Sequence, residues 1–349
     1  MMKTKTPMKL SDRTINLLKN FASINQSILF KQGNQLRTIS VMKNILAEAN
    51  IDEEIPQEFG VYDLSQFLNS LGLLIRTHNP TRLVICFDGK GGSQRRRKVY
   101  SDYKENRRTR VKLNRNLDQT ADEEYDSMKV QMTKLGEYLG YLPVTVLSMD
   151  NVEADDVIAY CAQNILKKEV VIVSTDRDFY QIVNDRITVW NPIKKQLIDK
   201  DYIHDKFNIS IDNFIWYRVL DGDKSDNIPG IPGVGLKTLQ KAFPILQQEG
   251  QVSVDDIMEY IDQKEKLLKV DEKIRESKDI IERNFDLMQL KEVIMPESMK
   301  SNVRSIINNS NPKLDIYSFK TSFMRDKLYT NIKNLDYWLR VNFFPLNVF

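Results

Sequence analysis

The sequence predicts an α/β fold with a mainly parallel sheet flanked by helices. Three observations carry this. Leu83-Val-Ile-Cys-Phe87 and Val170-Val-Ile-Val-Ser174 are short continuous apolar runs, the pattern of strands buried on both faces. Stretches of helical spacing lie between and after them. Acidic residues, Asp88 after the first run and Asp176 and Asp178 after the second, fall at strand carboxyl ends, where sheets of this class bind ligands.

The elements follow in order. The first run ends at Asp88-Gly89. Ala121 to Leu139 places Met128, Met132, Leu135 and Leu139 on one helical face. Leu142-Pro-Val-Thr-Val-Leu147 reads as a second strand. Val152 to Leu166 reads as a helix with Glu153, Asp155 and Asp156 in its first turn. After the third strand, Ile187-Thr-Val-Trp190 and Lys195-Gln-Leu-Ile198 flank a proline-containing turn and predict a hairpin. Lys200 to Leu220 is expected to be helical. From about Asp255 the chain is Lys- and Glu-rich helix, then less regular.

The 349 residues leave room for about two domains. The formal charge of +3 is nearly balanced, so its distribution is more informative than its sum. Lys90, Arg95, Arg96, Arg97, Lys98, Lys104, Arg107, Arg108, Arg110, Lys112 and Arg115 crowd one segment that holds only Asp102 and Glu105 as acids. Such a field attracts a polyanion. Cys86 and Cys161 sit in apolar surroundings and read as reduced, buried thiols. His78 and His204 are isolated, and no Cys/His spacing suits zinc. No signal peptide, no bilayer-spanning apolar run and no internal repeat is evident.

The carboxylates come in groups. Glu153 and Asp156 are three apart on a helix and share a face, with Asp155 beside them. Asp176 and Asp178 flank Arg177. Asp223 and Asp226 precede Ile-Pro-Gly-Ile-Pro-Gly-Val-Gly235, whose glycines let backbone N–H groups approach a phosphate. Taken singly, each group has a bland explanation in helix-dipole complementation or turn formation. Crowded together with Asp88 on one sheet edge, they repel unless cations sit among them. Hard oxygen ligands suit Mg²⁺ or Mn²⁺, and two such ions roughly 4 Å apart stabilise both oxygens of a phosphodiester displacement.

From about Ile75 onward the chain resembles the 5′ nucleases, the bacterial and phage 5′–3′ exonucleases and flap endonucleases. The resemblance rests on five motifs in order: Phe87-Asp-Gly89, Arg97-Lys-Val-Tyr-Ser-Asp-Tyr-Lys-Glu-Asn-Arg107, Val152-Glu-Ala-Asp-Asp156, Ser174-Thr-Asp-Arg-Asp178 and Gly222-Asp-Lys-Ser-Asp-Asn-Ile-Pro-Gly230. It implies a PIN-like nuclease core with a helical arch at about 90–116 and a helix–three-turn–helix region. Asp88, Glu153 and Asp155, with Asp156 beside them, would hold the catalytic ion; Asp176, Asp178, Asp223 and Asp226 would hold or orient the second. Tyr103 would stack on a base, and Lys104 and Arg107 would neutralise the scissile phosphate. Asn106 matches a phosphate-steering position, and Arg95, Arg96, Arg97 and Lys98 belong to the same DNA-facing segment. Gly230, Gly233 and Gly235 would offer N–H groups to the phosphates of duplex DNA, assisted by Lys237 and Lys241, with K⁺ sharing the site. Contacts of this kind recognise structure rather than sequence.

The resemblance further implies a phage-encoded monomer in the bacterial cytoplasm, acting on DNA 5′ ends or flaps in replication or repair, with an RNA–DNA primer as a further substrate and no membrane partner. Upstream of the Phe-Asp-Gly strand, the family's first Asp-bearing strand is not found. Met8 to Leu74 instead resembles the N-terminal part of the DNA polymerase sliding clamp of T-even type bacteriophages, through Met8-Lys-Leu-Ser-Asp12, Leu17 to Asn25, Ala47 to Ile51 and Val61 to Leu68. Asp63 reads as a helix N-cap. The expected division is a clamp-like α+β fragment at 1–74, the nuclease core at 75–220 and the helical DNA-binding part at 221–349. Two alternatives to catalysis follow: a branched-DNA-binding protein impaired in cleavage, or a clamp-linked replisome adaptor. The apolar C-terminus is expected to pack on the domain, with clamp binding as the other reading.

Overall fold

The computed structural model describes residues 11, 13, 17, 28–30, 33–39, 46–55, 59–61, 64–107, 120–326, 328, 332 and 334–347. Asp63, Arg108, Arg110, Lys112 and Arg115 lie outside the described residues, as do most of 1–27 and the last two residues. Strands β1 (Ile28–Phe30), β2 (Gly33–Ile39), β3 (Leu46–Ile55) and β4 (Phe59–Val61) come first, then helix α1 (Leu64–His78). Strand β5 (Val84–Asp88), helix α2 (Gln94–Val99), helix α3 (Ala121–Gly140), strand β6 (Thr145–Met149) and helix α4 (Ala154–Tyr160) follow. Strands β7 (Val170–Val173), β8 (Ile187–Asn191) and β9 (Gln196–Ile198) complete the α/β part. The remainder is helical: α5 (Lys200–Phe207), α6 (Phe214–Asp221), α7 (Leu236–Ala242), α8 (Val254–Asp262), α9 (Lys269–Glu276), α10 (Lys278–Met288), α11 (Glu297–Asn309), α12 (Ile316–Arg325) and α13 (Leu335–Phe343).

The chain separates into two compact units. One holds residues 1–82, 110–144 and 312–349. Within it β3-β2-β1-β4 form an antiparallel sheet. Helix α1 buries Leu68 and Ile75 and packs on α13, where Arg76 donates to the Asn342 side chain. Thr120 and Glu123 form a reciprocal capping box that starts α3. Tyr138 on α3 meets Phe319 edge-to-face and donates from its hydroxyl to Asp326.

The other unit holds residues 83–109 and 145–311. Strands β5 and β6 pair in parallel, Val84 opposite Thr145 through Asp88 opposite Met149. Strand β7 pairs in parallel with β8, which turns back antiparallel onto β9. The parallel pairings and the hairpin match the sequence expectation, but they divide between two small sheets rather than one. Strand β6 begins three residues later than expected. Pro143 has no N–H to give a ladder, and Val144 N–H bonds locally to Leu142 O. The expected helix from Lys200 to Leu220 is broken, because Asn208 adopts φ 48° and ends α5. An aromatic cluster of Tyr180, Phe207, Phe214 and Tyr217 fixes α6 against the turn after β7. Trp216 stacks on Phe285 and donates to Val252 O at 2.7 Å, tying α6 to α10 and to the lead into α8.

Candidate active site: a carboxylate rim neutralised by arginines

The parallel strands deliver their carboxyl ends to one edge of this unit. Asp88 ends β5, and its Oδ1 accepts the Ala154 N–H at the start of α4 (2.8 Å). The connection is tight: a side chain at Gly89 would place its Cβ 1.6 Å from Met149 O, so only glycine fits. Glu153 is the N-cap residue of α4, just outside the first turn expected to hold it, and Asp155 and Asp156 lie in that turn. After β7, Asp176 N–H donates to Ser174 Oγ (3.0 Å) and Asp176 Oδ1 accepts Asp178 N–H (2.8 Å), which folds the loop and opens a 3₁₀ turn at Asp178.

Two buried arginines organise the rim. Arg96 on α2 donates through Nη1 to Glu153 Oε2 (2.6 Å) and Asp156 Oδ2 (2.7 Å), through Nη2 to Asp156 Oδ1 (2.8 Å) and through Nε to Leu287 O (2.8 Å). Arg218 on α6 donates through Nε to Asp178 Oδ1 (2.7 Å) and through Nη2 to Asp223 Oδ2 (2.6 Å). Asp223 Oδ1 accepts from both the N–H and the hydroxyl of Ser225.

The basic segment closes over the first group. Lys104 Nζ bonds Glu153 Oε1 at 2.6 Å and lies 3.8 Å from Asp226 Oδ2. Arg107 pairs with Asp226 and donates through Nε to Ser225 O. Asn106 donates to Lys224 O and Ser225 O, and Lys104 N–H donates to Asp226 O (2.8 Å) with Lys104 at φ 54°. The expected arch residues Lys104, Asn106 and Arg107 and the acidic loop at 223–226 are therefore one assembly.

Several expected roles change. Tyr103, read as a base-stacking residue, is 3% exposed, and its hydroxyl lies 3.0 Å from Glu153 Oε2 and 3.2 Å from Asp226 Oδ2, positioned to donate to either. Its ring completes the core, so no face is offered to a base in this structure. Arg96, read as DNA-facing, is 4% exposed, because two carboxylates draw it inward. Arg95 turns to Asp286 at 3.2 Å. Arg97 donates to Tyr103 O (3.4 Å), and Lys98 stays exposed. Arg218 was not singled out by the sequence reading; the only available signal was a lone basic residue on an otherwise apolar helix directly before Asp223.

The charges respond to these partners. Burial, then the neighbouring Asp176, push the Asp155 carboxyl up to about 7. Burial likewise takes Asp178 to about 7 against the pull of Arg218. Burial also raises Asp226. Glu153 is lowered: burial opposes this, but Arg96 and Lys104 outweigh it. Asp223 is lowered in the same way, burial being overcome by Ser225 and Arg218. Among the described residues no three Asp, Glu, His or Cys side chains form a ready metal cage. The acids are instead spread along the rim and shared with arginine and lysine.

The glycines that follow Asp226 serve the backbone. A Cβ at Gly230 would lie 2.2 Å from Asp221 O, and Gly233 has φ 84°. Gly235 precedes α7 without a side-chain cap, and Lys237 and Lys241 on α7 are exposed.

This arrangement defines a class: an α/β domain bearing a carboxylate rim, followed by a helical domain. Residues 31–208 match the 5′–3′ exonuclease N-terminal resolvase-like domain and residues 209–308 the 5′–3′ exonuclease C-terminal SAM fold. The chain belongs to the 5′–3′ exonuclease family. It is 36% identical over 188 residues to a 5′–3′ exonuclease of Aquifex aeolicus, covering 53% of this chain and 59% of the relative. It is 30% identical to the flap endonuclease Xni of Psychromonas ingrahamii, covering 53% of this chain and 64% of that protein. The chain thus spans about three-fifths of the length of these relatives. Among solved structures it is similar in fold to the bacteriophage T5 5′-exonuclease with bound zinc (TM-score 0.53, 20% identity, 76% of this chain and 90% of that one). It is similarly close to the T5 D15 flap endonuclease in a pseudo-enzyme–product complex with DNA and metal ions (TM-score 0.54, 20% identity, 75% and 89%). The family match starts at residue 31, inside the segment that resembles a sliding clamp.

Proposed function

We propose that this chain is a divalent-metal-dependent 5′–3′ exonuclease and flap endonuclease that hydrolyses DNA phosphodiesters near 5′ ends. The observation that carries it is the meeting of Lys104 and Arg107 with Glu153 and Asp226 on the edge that also bears Asp88, Asp155 and Asp176. These cations sit on the basic segment, where a 5′ single strand would lie. They reach a phosphate by exchanging their carboxylate partners for its oxygens.

The donor set fits Mg²⁺ or Mn²⁺ in part. Asp155 is half-buried beside Asp176 and takes no hydrogen bond from Arg96 or Arg218, which leaves its carboxylate open to a cation. Asp88, Glu153, Asp155 and Asp176 are the residues that would hold the first ion; Asp178, Asp223 and Asp226 would hold or orient a second, and Asp156 stands behind Glu153. Bound ions would supply charge neutralisation at the attacking and leaving oxygens and a more acidic water. The chain's own part is to fix the carboxylates, exclude bulk water and bring Lys104 and Arg107 to the phosphate.

Duplex binding through Gly230, Gly233, Gly235, Lys237 and Lys241, a K⁺ ion there, RNA-primer removal, a monomeric state and a phage setting in the host cytoplasm extend the same reading. The clamp-like character of 1–74 and clamp binding belong to it as well; a sliding clamp captured by residues 1–74 alone supports them, and no capture removes them. The alternative, binding of branched DNA without cleavage, rests on the sequence alone, in which the family's first Asp-bearing strand is not found. A 5′-labelled flap incubated with Mg²⁺ decides between the two. Release of short 5′ products that EDTA abolishes supports the nuclease; tight flap binding with no product in Mg²⁺ or Mn²⁺ supports the binding protein.

A further inference from the structure

We infer that Arg96 is a positioning residue that sets the orientation of Glu153 and Asp156, and that it does not contact DNA; this rests on the nuclease reading above. One guanidinium joins three elements. It extends from α2, takes two carboxylates at the start of α4 and binds Leu287 O in the last turn of α10. Four hydrogen bonds of 2.6–2.8 Å occupy four of its five N–H donors, including a two-pronged pair to Asp156. At 4% exposure nothing of it is left for a phosphate in solvent.

The consequence lies in Glu153. Its Oε2 is fixed between Arg96 Nη1 and the Tyr103 hydroxyl, while Oε1 faces Lys104 alone. Asp156 has both oxygens on Arg96, which makes it the counter-ion of that guanidinium. Removing Arg96 frees Glu153 to turn, and a carboxylate that turns binds a cation in the wrong place. Lysine retains the charge but not the planar fork.

The test uses the full chain with Mn²⁺ as probe, followed by electron paramagnetic resonance. Arg96→Met is expected to weaken Mn²⁺ binding by about tenfold or more, the range for residues that orient a metal ligand. Turnover should fall more steeply than KM for the flap rises, and Arg96→Lys should recover stability better than it recovers turnover. Flap affinity in EDTA, and its dependence on salt, should match the parent. A DNA contact behaves oppositely: affinity drops, the salt slope shrinks by about 1 and Mn²⁺ binding is unchanged, and that result overturns the inference. If Arg96→Met is too unstable, Arg96→Met with Asp156→Leu removes the orphaned acid. Recovered stability with weak Mn²⁺ binding supports positioning; recovery of both overturns it. A parent that neither binds Mn²⁺ nor cuts the flap defeats the nuclease reading itself, whereas a parent that does both and an Arg96→Met variant equal to it defeats only this inference.

Discussion

The two halves of the carboxylate rim are neutralised differently. In the half that holds Arg96, Glu153 also meets Lys104, and Asp226 meets Lys104 and Arg107, both from the basic segment; the Arg107 side chain is 52% exposed. Around Arg218, the acids Asp178 and Asp223 meet only a buried guanidinium and a local serine. The proposed nuclease function asks the first half to exchange partners and the second to hold its charge pattern fixed. Activity should therefore be sensitive at the first half and folding at the second.

Between Arg218 and the basic-segment residues Lys104 and Arg107, the larger effect on stability is expected from Arg218→Met. Two part-buried acids would lose their cation, a loss of up to about 3–5 kcal/mol by analogy with broken buried pairs. Urea denaturation measures it, and a loss below that of Lys104→Ala would erase the contrast between the halves. Lys104→Ala is expected to reduce single-turnover flap cleavage by roughly 10²–10³-fold, the scale for one transition-state donor. Its effect on stability should be nearer 1.5 kcal/mol, because Glu153 keeps Arg96.

The pH dependence of the metal-free protein comes next. Asp155 and Asp178 are raised from 3.8 to about 7, so the folded chain retains protons that the unfolded chain releases. Their contribution to stability is full below about pH 4 and is lost as pH rises through about 7. In EDTA, Asp155→Asn should flatten the fall in Tm between pH 5 and 8; an unchanged slope would show that Asp155 is not raised. The smallest effect belongs to Arg107→Ala, whose half-exposed pair is worth about 0–1 kcal/mol to the fold. Its signature should be in the salt dependence of flap binding, not in the Tm.

Much of this site was legible in the chain. The strand-end acids, the i, i+3 pair at α4 and the basic segment were all read from pattern, and each is local. What escaped was tertiary. Nothing in Gln94-Arg-Arg-Arg-Lys-Val99 tells which arginine turns inward, because the choice is made by Glu153 and Asp156 some sixty residues on. Tyr103 reads as an aromatic beside cations, yet its hydroxyl has two carboxylates to reach and its ring a core to fill. Arg218 is hidden in the apolar stripe of α6. The break at Asn208 and the late start of β6 after Pro143 are local signals that apolar periodicity outweighed.

If the rim reserves Asp155 and Asp176 for a cation that the arginines do not replace, metal binding depends on Asp155. Calorimetric titration of Mn²⁺ into the parent and into Asp155→Asn at pH 8 tests this most directly. Saturable binding by the parent, weakened by about tenfold or more in the variant, is the predicted result. Equal binding by both proteins, or no binding by either, contradicts it.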